Sequence, residues 1–171
     1  MSVGNLVEEM KACGVLGAGK IGKAAELVAE MFSDLEYTVF LTIAGPLVPG
    51  GLRRIIVDLI DREHVHVLVT TGANMVHDMV EGLGYQHLQG TFMAEDKRLK
   101  KEDIGRIGDI YVEQKVFKHL EKWMYEVLED IPEEKRRRIS VAELLCEVGK
   151  RIEDSESILA VAAKKNVPVI C

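Results

Sequence analysis

Apolar positions along this chain follow two periods, one helical and one of strand type. Ala24, Ala25, Leu27, Val28 and Met31 are apolar at helical spacing, which predicts a helix over residues 22–31. Residues 37–43 (YTVFLTI) are β-branched and aromatic and predict a strand. Pro49-Gly50-Gly51 opens an amphipathic helix. The pattern puts Leu52, Ile55, Ile56, Leu59 and Ile60 on its core face, with Arg53, Arg54, Asp58 and Asp61 turned away. Residues 65–70 read as the next strand and residues 73–84 as a helix ended by glycine. Strand, helix, strand, helix is the order of an α/β fold with a parallel sheet and right-handed crossovers.

The middle of the chain is less regular. Residues 87–93 suggest a short strand, residues 95–103 a charged surface excursion, and residues 106–112 a turn into another strand. A long helix is expected over residues 114–129. Ser140 and Glu143 form a capping box that starts a helix with Val141, Leu144, Leu145, Val148 and Ile152 on one face. Residues 155–165 continue helically, and residues 167–170 form a last strand. The ligand crevice of a parallel sheet lies at the carboxyl ends of its strands. A sequence stopping there predicts a sheet completed by another polypeptide or cut short, and hence a chain that associates.

A length of 171 residues fits one domain with its own core. A hydrophobic fraction of 47% with 29% charged residues reads as globular. A net charge of -6 gives no electrostatic support for nucleic-acid binding. The basic run Lys135, Arg136, Arg137 and Arg138 follows two glutamates and reads as a solvated helix start. Cys13, Cys146 and Cys171 lack metal-ligand spacing and suit a reducing cytoplasm, with Cys13 and Cys146 expected as small core residues. No apolar run approaches the roughly 18 residues of a membrane span.

Chemistry is expected at the strand ends. Ala44, Gly45, Pro46, Leu47, Val48 and Pro49 follow the first strong strand, and Thr70, Thr71, Gly72, Ala73 and Asn74 follow the second. Both loops fall on one side of a parallel sheet, where the N–H groups of a helix's first turn favour anions. That suits a nucleotide or phosphate crevice as well as plain connecting turns. His77 and Asp78, placed in the first turn of the following helix, offer either acid/base chemistry or an exposed helix-start pair. His64, His66, His87 and His119 are scattered without zinc-ligand spacing. Trp123 and Tyr125 are expected to pack. Gly17-Ala18-Gly19-Lys20-Ile21-Gly22 satisfies G-x-G-x-x-G, but the segment before it looks helical, and Asp34 and Glu36 precede the strand they would have to follow. A glycine-rich turn into a helix is the competing reading, and a Rossmann dehydrogenase using these glycines the weaker one.

Phe40-Leu41-Thr42 through Pro49-Gly50-Gly51-Leu52-Arg53, the run from Val67 to Asn74, and Arg106-Ile107-Gly108-Asp109 together resemble deoxyhypusine synthase, in order, from about Gly14 to Cys171. The glycine-rich start matches an N-terminal segment of that family. The resemblance implies a Rossmann-like parallel sheet flanked by helices, incomplete at its C-terminus, and a cytoplasmic enzyme of tetrameric type. It implies transfer of an aminobutyl group from spermidine, using NAD without net redox change, to a lysine of a translation factor 5A-type protein. Gly45, Pro46, Leu47, Val48, Pro49, Thr70, Thr71, Gly72 and Ala73 match the family's NAD-binding strand ends. Asp78 matches a family aspartate, whereas Val76 and His77 stand where the eukaryotic pattern has two glutamates. The form resembles archaeal and bacterial branches, some of which act as homospermidine synthases. The family's catalytic lysine lies beyond Cys171, and Lys164 and Lys165 do not occupy its place. The chain is therefore expected to act with a C-terminal half, or else to serve as a non-catalytic regulatory or assembly subunit.

Overall fold

The computed structural model describes all residues, Met1–Cys171, in two compact units, Met1–Val39 and Phe40–Cys171. The first unit is a helical hairpin, α1 (Val3–Cys13) and α2 (Leu16–Ser33). The Ser2 side chain caps α1 by accepting from the Asn5 N–H, and Gly14 ends it at φ 69°. Residues 17–22 lie inside α2, so the glycine-rich segment is neither a turn nor a phosphate loop. The element before it is helix α1, where a dinucleotide fingerprint needs a strand. Gly19 and Gly22 instead let the helices touch: a Cβ on Gly19 would sit 2.6 Å from the Gly14 carbonyl carbon, and one on Gly22 2.5 Å from Lys11 Cα. Cys13, expected in a core, is exposed, and Cys146 is half-buried.

The second unit is built on a parallel sheet of order β1-β2-β6, from β1 (Phe40–Thr42), β2 (Val67–Val69) and β6 (Val169–Ile170). Phe40 pairs with Val67, and Leu68 with Val169. Helix α3 (Arg53–Asp61) joins β1 to β2, and α4 (Gly72–Gly82) leaves β2. A second sheet of order β3-β5-β4 is antiparallel, from β3 (Leu88–Gln89), β4 (Ile104–Ile107) and β5 (Ile110–Glu113). The tight turn between β4 and β5 has Gly108 at φ 64°, a conformation glycine adopts without strain. The expected surface excursion over residues 95–103 contains a helix, α5 (Asp96–Lys101), whose Leu99 is buried.

Helices α6 (Lys115–Asp130), α7 (Glu133–Arg136), α8 (Val141–Gly149) and α9 (Ile158–Lys165) complete the unit. The capping box forms as expected: Ser140 Oγ accepts from the Glu143 N–H, and the Ser140 N–H donates to Glu143 Oε2 at 2.8 Å. The helix it starts ends at Gly149, and residues 150–157 form a loop before Ser157 caps α9. Val141, expected on the core face, is exposed. Ile60, Leu68, Val80, Val148, Ile158 and Leu159 form the fully buried centre, each of the larger side chains contributing about 1.5–3 kcal/mol by leaving water. Trp123 packs on this core half-buried, whereas Tyr125 on the same helix is exposed.

The core face of α3 differs from its expected pattern. Ile56 and Ile60 are buried, but Ile55 is 59% exposed and Leu52 39% exposed, while Arg53 is 7% exposed. The helix is rolled so that a cation points inward. That orientation is stable only because carboxylates meet it there.

Candidate functional site at the strand ends

Two loops leave the carboxyl ends of β1 and β2 and are tied together by one side chain. Asn74, in the first turn of α4, is fully buried. Its Oδ1 accepts from the Val48 N–H at 3.0 Å, and its Nδ2 donates to Thr70 Oγ1 at 3.1 Å. Thr71 is the N-cap of α4, its Oγ1 accepting from the Asn74 N–H at 3.3 Å. The loop after β1 is a wide helical turn, Val48–Leu52, in which the Gly50 N–H donates to the Pro46 carbonyl at 2.9 Å. Gly51 carries it into α3 at φ 84°. The sequence places Asn74 in the turn, and only its burial in the fold shows that both its donor and its acceptor need partners.

Most residues expected to hold a cofactor meet here. Thr70, Val48 and Pro49 are buried and form the wall behind the loops, and Leu47 is half-buried. Pro46, Thr71, Gly72 and Ala73 are exposed in front. Gly45 approaches the second loop so closely that a Cβ there would lie 3.0 Å from Thr71 Oγ1 and 4.0 Å from the Ala73 Cβ. A Cβ on Gly72 would meet nothing within 4 Å, so open space faces the start of α4. A small-residue rim beside the positive end of an 11-residue helix suits an anionic group.

His77 and Asp78 lie in the second turn of α4, beyond their expected place, and both are buried. Asp78 is a hub. Its Oδ1 accepts from Arg53 Nε at 2.7 Å and from the Ile158 N–H at 3.0 Å. Its Oδ2 accepts from Ser157 Oγ at 2.8 Å and from the Leu159 N–H at 3.0 Å. The carboxylate thus anchors α3 and caps the start of α9, which leaves it no free lone pair for a ligand. Burial works against the Arg53 charge, but Asp78 and then Asp154 outweigh it and raise the guanidinium above its ordinary range. Arg53 Nη1 donates to Asp154 Oδ2 at 2.7 Å. An arginine in the first turn of a helix opposes the dipole, and that was the sequence signal that it needed carboxylate partners.

His87, one of the scattered histidines, meets His77. His77 Nδ1 lies 2.9 Å from His87 Nε2, and His87 Nδ1 lies 2.8 Å from Glu81 Oε1. Burial, then His87, lowers the pKa of His77 below its ordinary value, and Glu81 offsets part of that. No group of three His, Cys, Asp or Glu side chains is arranged to hold a metal ion.

Comparison with known proteins gives these features a family. The sequence profile described as deoxyhypusine synthase matches residues 5–171. The chain is 44% identical over 171 residues to the Methanosarcina acetivorans protein named probable deoxyhypusine synthase 1, covering 100% of this chain and 53% of that protein. It is 43% identical over 169 residues to the Methanothermobacter thermautotrophicus protein named probable deoxyhypusine synthase, covering 99% of this chain and 54% of the relative. The chain therefore spans about half the length of the curated relatives it matches. Its fold superposes on a crystal structure of a protein assigned as a deoxyhypusine synthase from Entamoeba histolytica, with a TM-score of 0.69 at 18% identity, covering 100% of this chain and 58% of that one. The expected α/β fold with a parallel sheet is the fold observed. With a match over nearly its whole length, the chain belongs to the deoxyhypusine synthase family.

Proposed function

We propose that this chain supplies one wall of the NAD and polyamine site of a deoxyhypusine synthase-like aminobutyl transferase. The observation that carries the proposal is the convergence of two parallel strand ends on Asn74, which leaves Gly45, Thr71, Gly72 and Ala73 as an open rim of small residues. The residues present fit a dinucleotide phosphate. Gly72 and Ala73 would offer backbone N–H groups, Thr71 its hydroxyl, and Gly45, Pro46, Leu47, Val48 and Pro49 a rigid second wall. Bound NAD supplies the acceptor and later donor of hydride in this family's chemistry. The chain's own part is to hold the phosphates, exclude water with buried Val48 and Pro49, and fix the rim through Asn74.

The polyamine donor is spermidine or a close relative, and the acceptor is a lysine of a translation factor 5A-type protein. Asp78 acts as scaffold, and His77 is the polar group of the matched T-G-A-N-x-x-H-D segment that remains for the amine. The chain spans about half the length of these relatives, and in this reading the other half carries the family's catalytic lysine. A polypeptide carrying that half, in a hetero- or homo-oligomer, completes the site.

The test is reconstitution. The chain is co-purified with a polypeptide carrying the remaining half, NAD binding is measured by calorimetry, and transfer of labelled butylamine from spermidine to the 5A-type factor is followed. Binding with transfer is the expected outcome. Stable association with neither NAD binding nor transfer would refute the proposal and favour a non-catalytic assembly subunit.

A further inference from the structure

Residues 84–90, the stretch that carries β3, are weakly held by their own strand. β3 has two ladder residues, Leu88 opposite Tyr111 and Gln89 opposite Ile110, and both are exposed. The Gly90 N–H adds one bond, to the Asp109 carbonyl. A segment with so little buried apolar surface opens at low cost. Two side chains hold it instead. Tyr85 packs on the core, and its hydroxyl lies 2.7 Å from His119 Nδ1. The His87 side chain is 4% exposed and reaches α4, with its Nε2 2.9 Å from His77 Nδ1 and its Nδ1 2.8 Å from Glu81 Oε1. The two rings meet edge to face at 4.8 Å, and His77 is buried.

A contact between two imidazole nitrogens at 2.9 Å is a hydrogen bond when one brings a hydrogen and the other a lone pair. Either ring can be the donor, so the contact survives with both rings neutral or with one charged. A single charge is favoured on His87, beside the Glu81 carboxylate. With both rings charged, every ring nitrogen carries a hydrogen, and two N–H groups and two positive charges face each other out of water. The neighbouring groups do not relieve this. Glu81 is shared with Arg53 of α3, whose Nε lies 3.6 Å from Oε2. Asp78 on α4 is engaged by Arg53 and Ser157. In the loop before α9, Asp154 binds Arg53 and Glu156 binds Arg54. From α6, Phe117 faces His77 edge-on at 6.3 Å, His119 is engaged by Tyr85, and Lys115 pairs with Glu113. Asp109, in the turn before β5, is exposed and lines a cleft with His87.

We propose that the His77–His87 contact is an acid-sensitive latch, which holds residues 84–90 against α4 until both rings are charged and then releases them. The cleft it controls has a volume of ≈ 330 Å³, with Pro49, Gly50 and Gly51 on one side and His87, Leu88 and Gln89 on the other. Pro49, Gly50 and Gly51 belong to the loop that walls the candidate site, so release changes what stands beside that wall. The direction with pH follows from burial. Burial first, and then His87, lowers the pKa of His77 below its ordinary 6.5, with Glu81 offsetting part of the shift. A base whose folded pKa is lowered stabilises the closed form fully above 6.5 and loses that contribution as pH falls. The latch is closed near neutrality and opens in acid. It involves this chain's own residues alone and stands whether or not the aminobutyl-transfer reading holds.

The test uses the full chain without ligand. Hydrogen exchange, corrected for the intrinsic effect of pH, is read at the Gly90 amide, with the Leu68 amide of β2 as the core reference. Protection at Gly90 should fall as pH drops below 6.5, by at most about tenfold per pH unit, the limit for one proton taken up on opening, while Leu68 stays protected. In His77→Gln, which keeps a donor and an acceptor but cannot take a charge, the fall should disappear. Imidazole nitrogen NMR with labelled histidine gives a second readout that needs no variant. The pair should take up its protons in two separate steps, the second below 6.5 and in parallel with the exchange at Gly90. Gly90 protection that ignores pH, an equal fall at Leu68, a fall that persists in folded His77→Gln, or two rings that titrate independently would each overturn the latch.

Discussion

Arg53 and Asp78, one on α3 and the other on α4, meet at 2.7 Å in the interior, with Asp78 fully buried. The contact fixes how α3 is rolled against the rest of the unit. It also places the carboxylate where Ser157, Ile158 and Leu159 can close on it, so one side chain sets the start of α9. Replacing one partner of a buried pair costs more than the pair contributes, because the other is left without its counter-charge.

Asp78→Ala is expected to destabilise the chain by about 3–5 kcal/mol, the range for breaking a buried pair. Urea unfolding followed by circular dichroism measures it. A loss no larger than that of the exposed-pair variant Arg62→Ala would show that Asp78 is not the hub described.

Asn74→Ala should cost about 1–3 kcal/mol, since the Val48 N–H and Thr70 hydroxyl lose a buried partner. It should also loosen the loop at Val48–Leu52. Hydrogen exchange at the Val48 amide reports this directly. Protection equal to that of the unaltered chain would rule out the tie between the two strand ends.

Gly22→Ala places a methyl against the Lys11 backbone and should weaken the hairpin by about 1–3 kcal/mol through overpacking. Gly17→Ala meets nothing within 4 Å and should leave the hairpin intact or slightly stabilise it. Amide exchange across residues 3–33 separates the two. Equal effects would contradict close packing as the reason for glycine at position 22.

Glu147 gives a pH dependence with a definite sign. Hydrogen bonds from Lys135, then Lys150 and Arg151, lower its pKa from 4.5 to about 2. A depressed carboxylate stabilises the folded state fully above 4.5, and that contribution is lost as pH falls toward about 2. The urea midpoint of Glu147→Gln should lie below that of the unaltered chain at pH 7, with the gap closing between pH 4.5 and about 2. A gap that widens on acidification would reverse the assignment.

Legible in the sequence alone were the alternation of β1, α3, β2 and α4, the capping box at Ser140, and the two strand-end loops, because each rests on local periodicity or on residues a few positions apart. Pro49-Gly50-Gly51 and Thr70-Thr71-Gly72 were legible for the same reason. Tertiary structure alone decided which way α3 rolled, because the outward-looking Arg53 found Asp78 and Asp154 far along the chain. It decided that Gly17-Ala18-Gly19-Lys20-Ile21-Gly22 lies in a packed helix, since a glycine's purpose depends on what approaches it. It also brought together His77, His87 and Glu81, whose hydrogen bonds depend on how the chain turns back after α4. Periodicity reports which face of an element is apolar; a polar side chain goes inside only when distant partners satisfy it, and those partners are supplied by the fold.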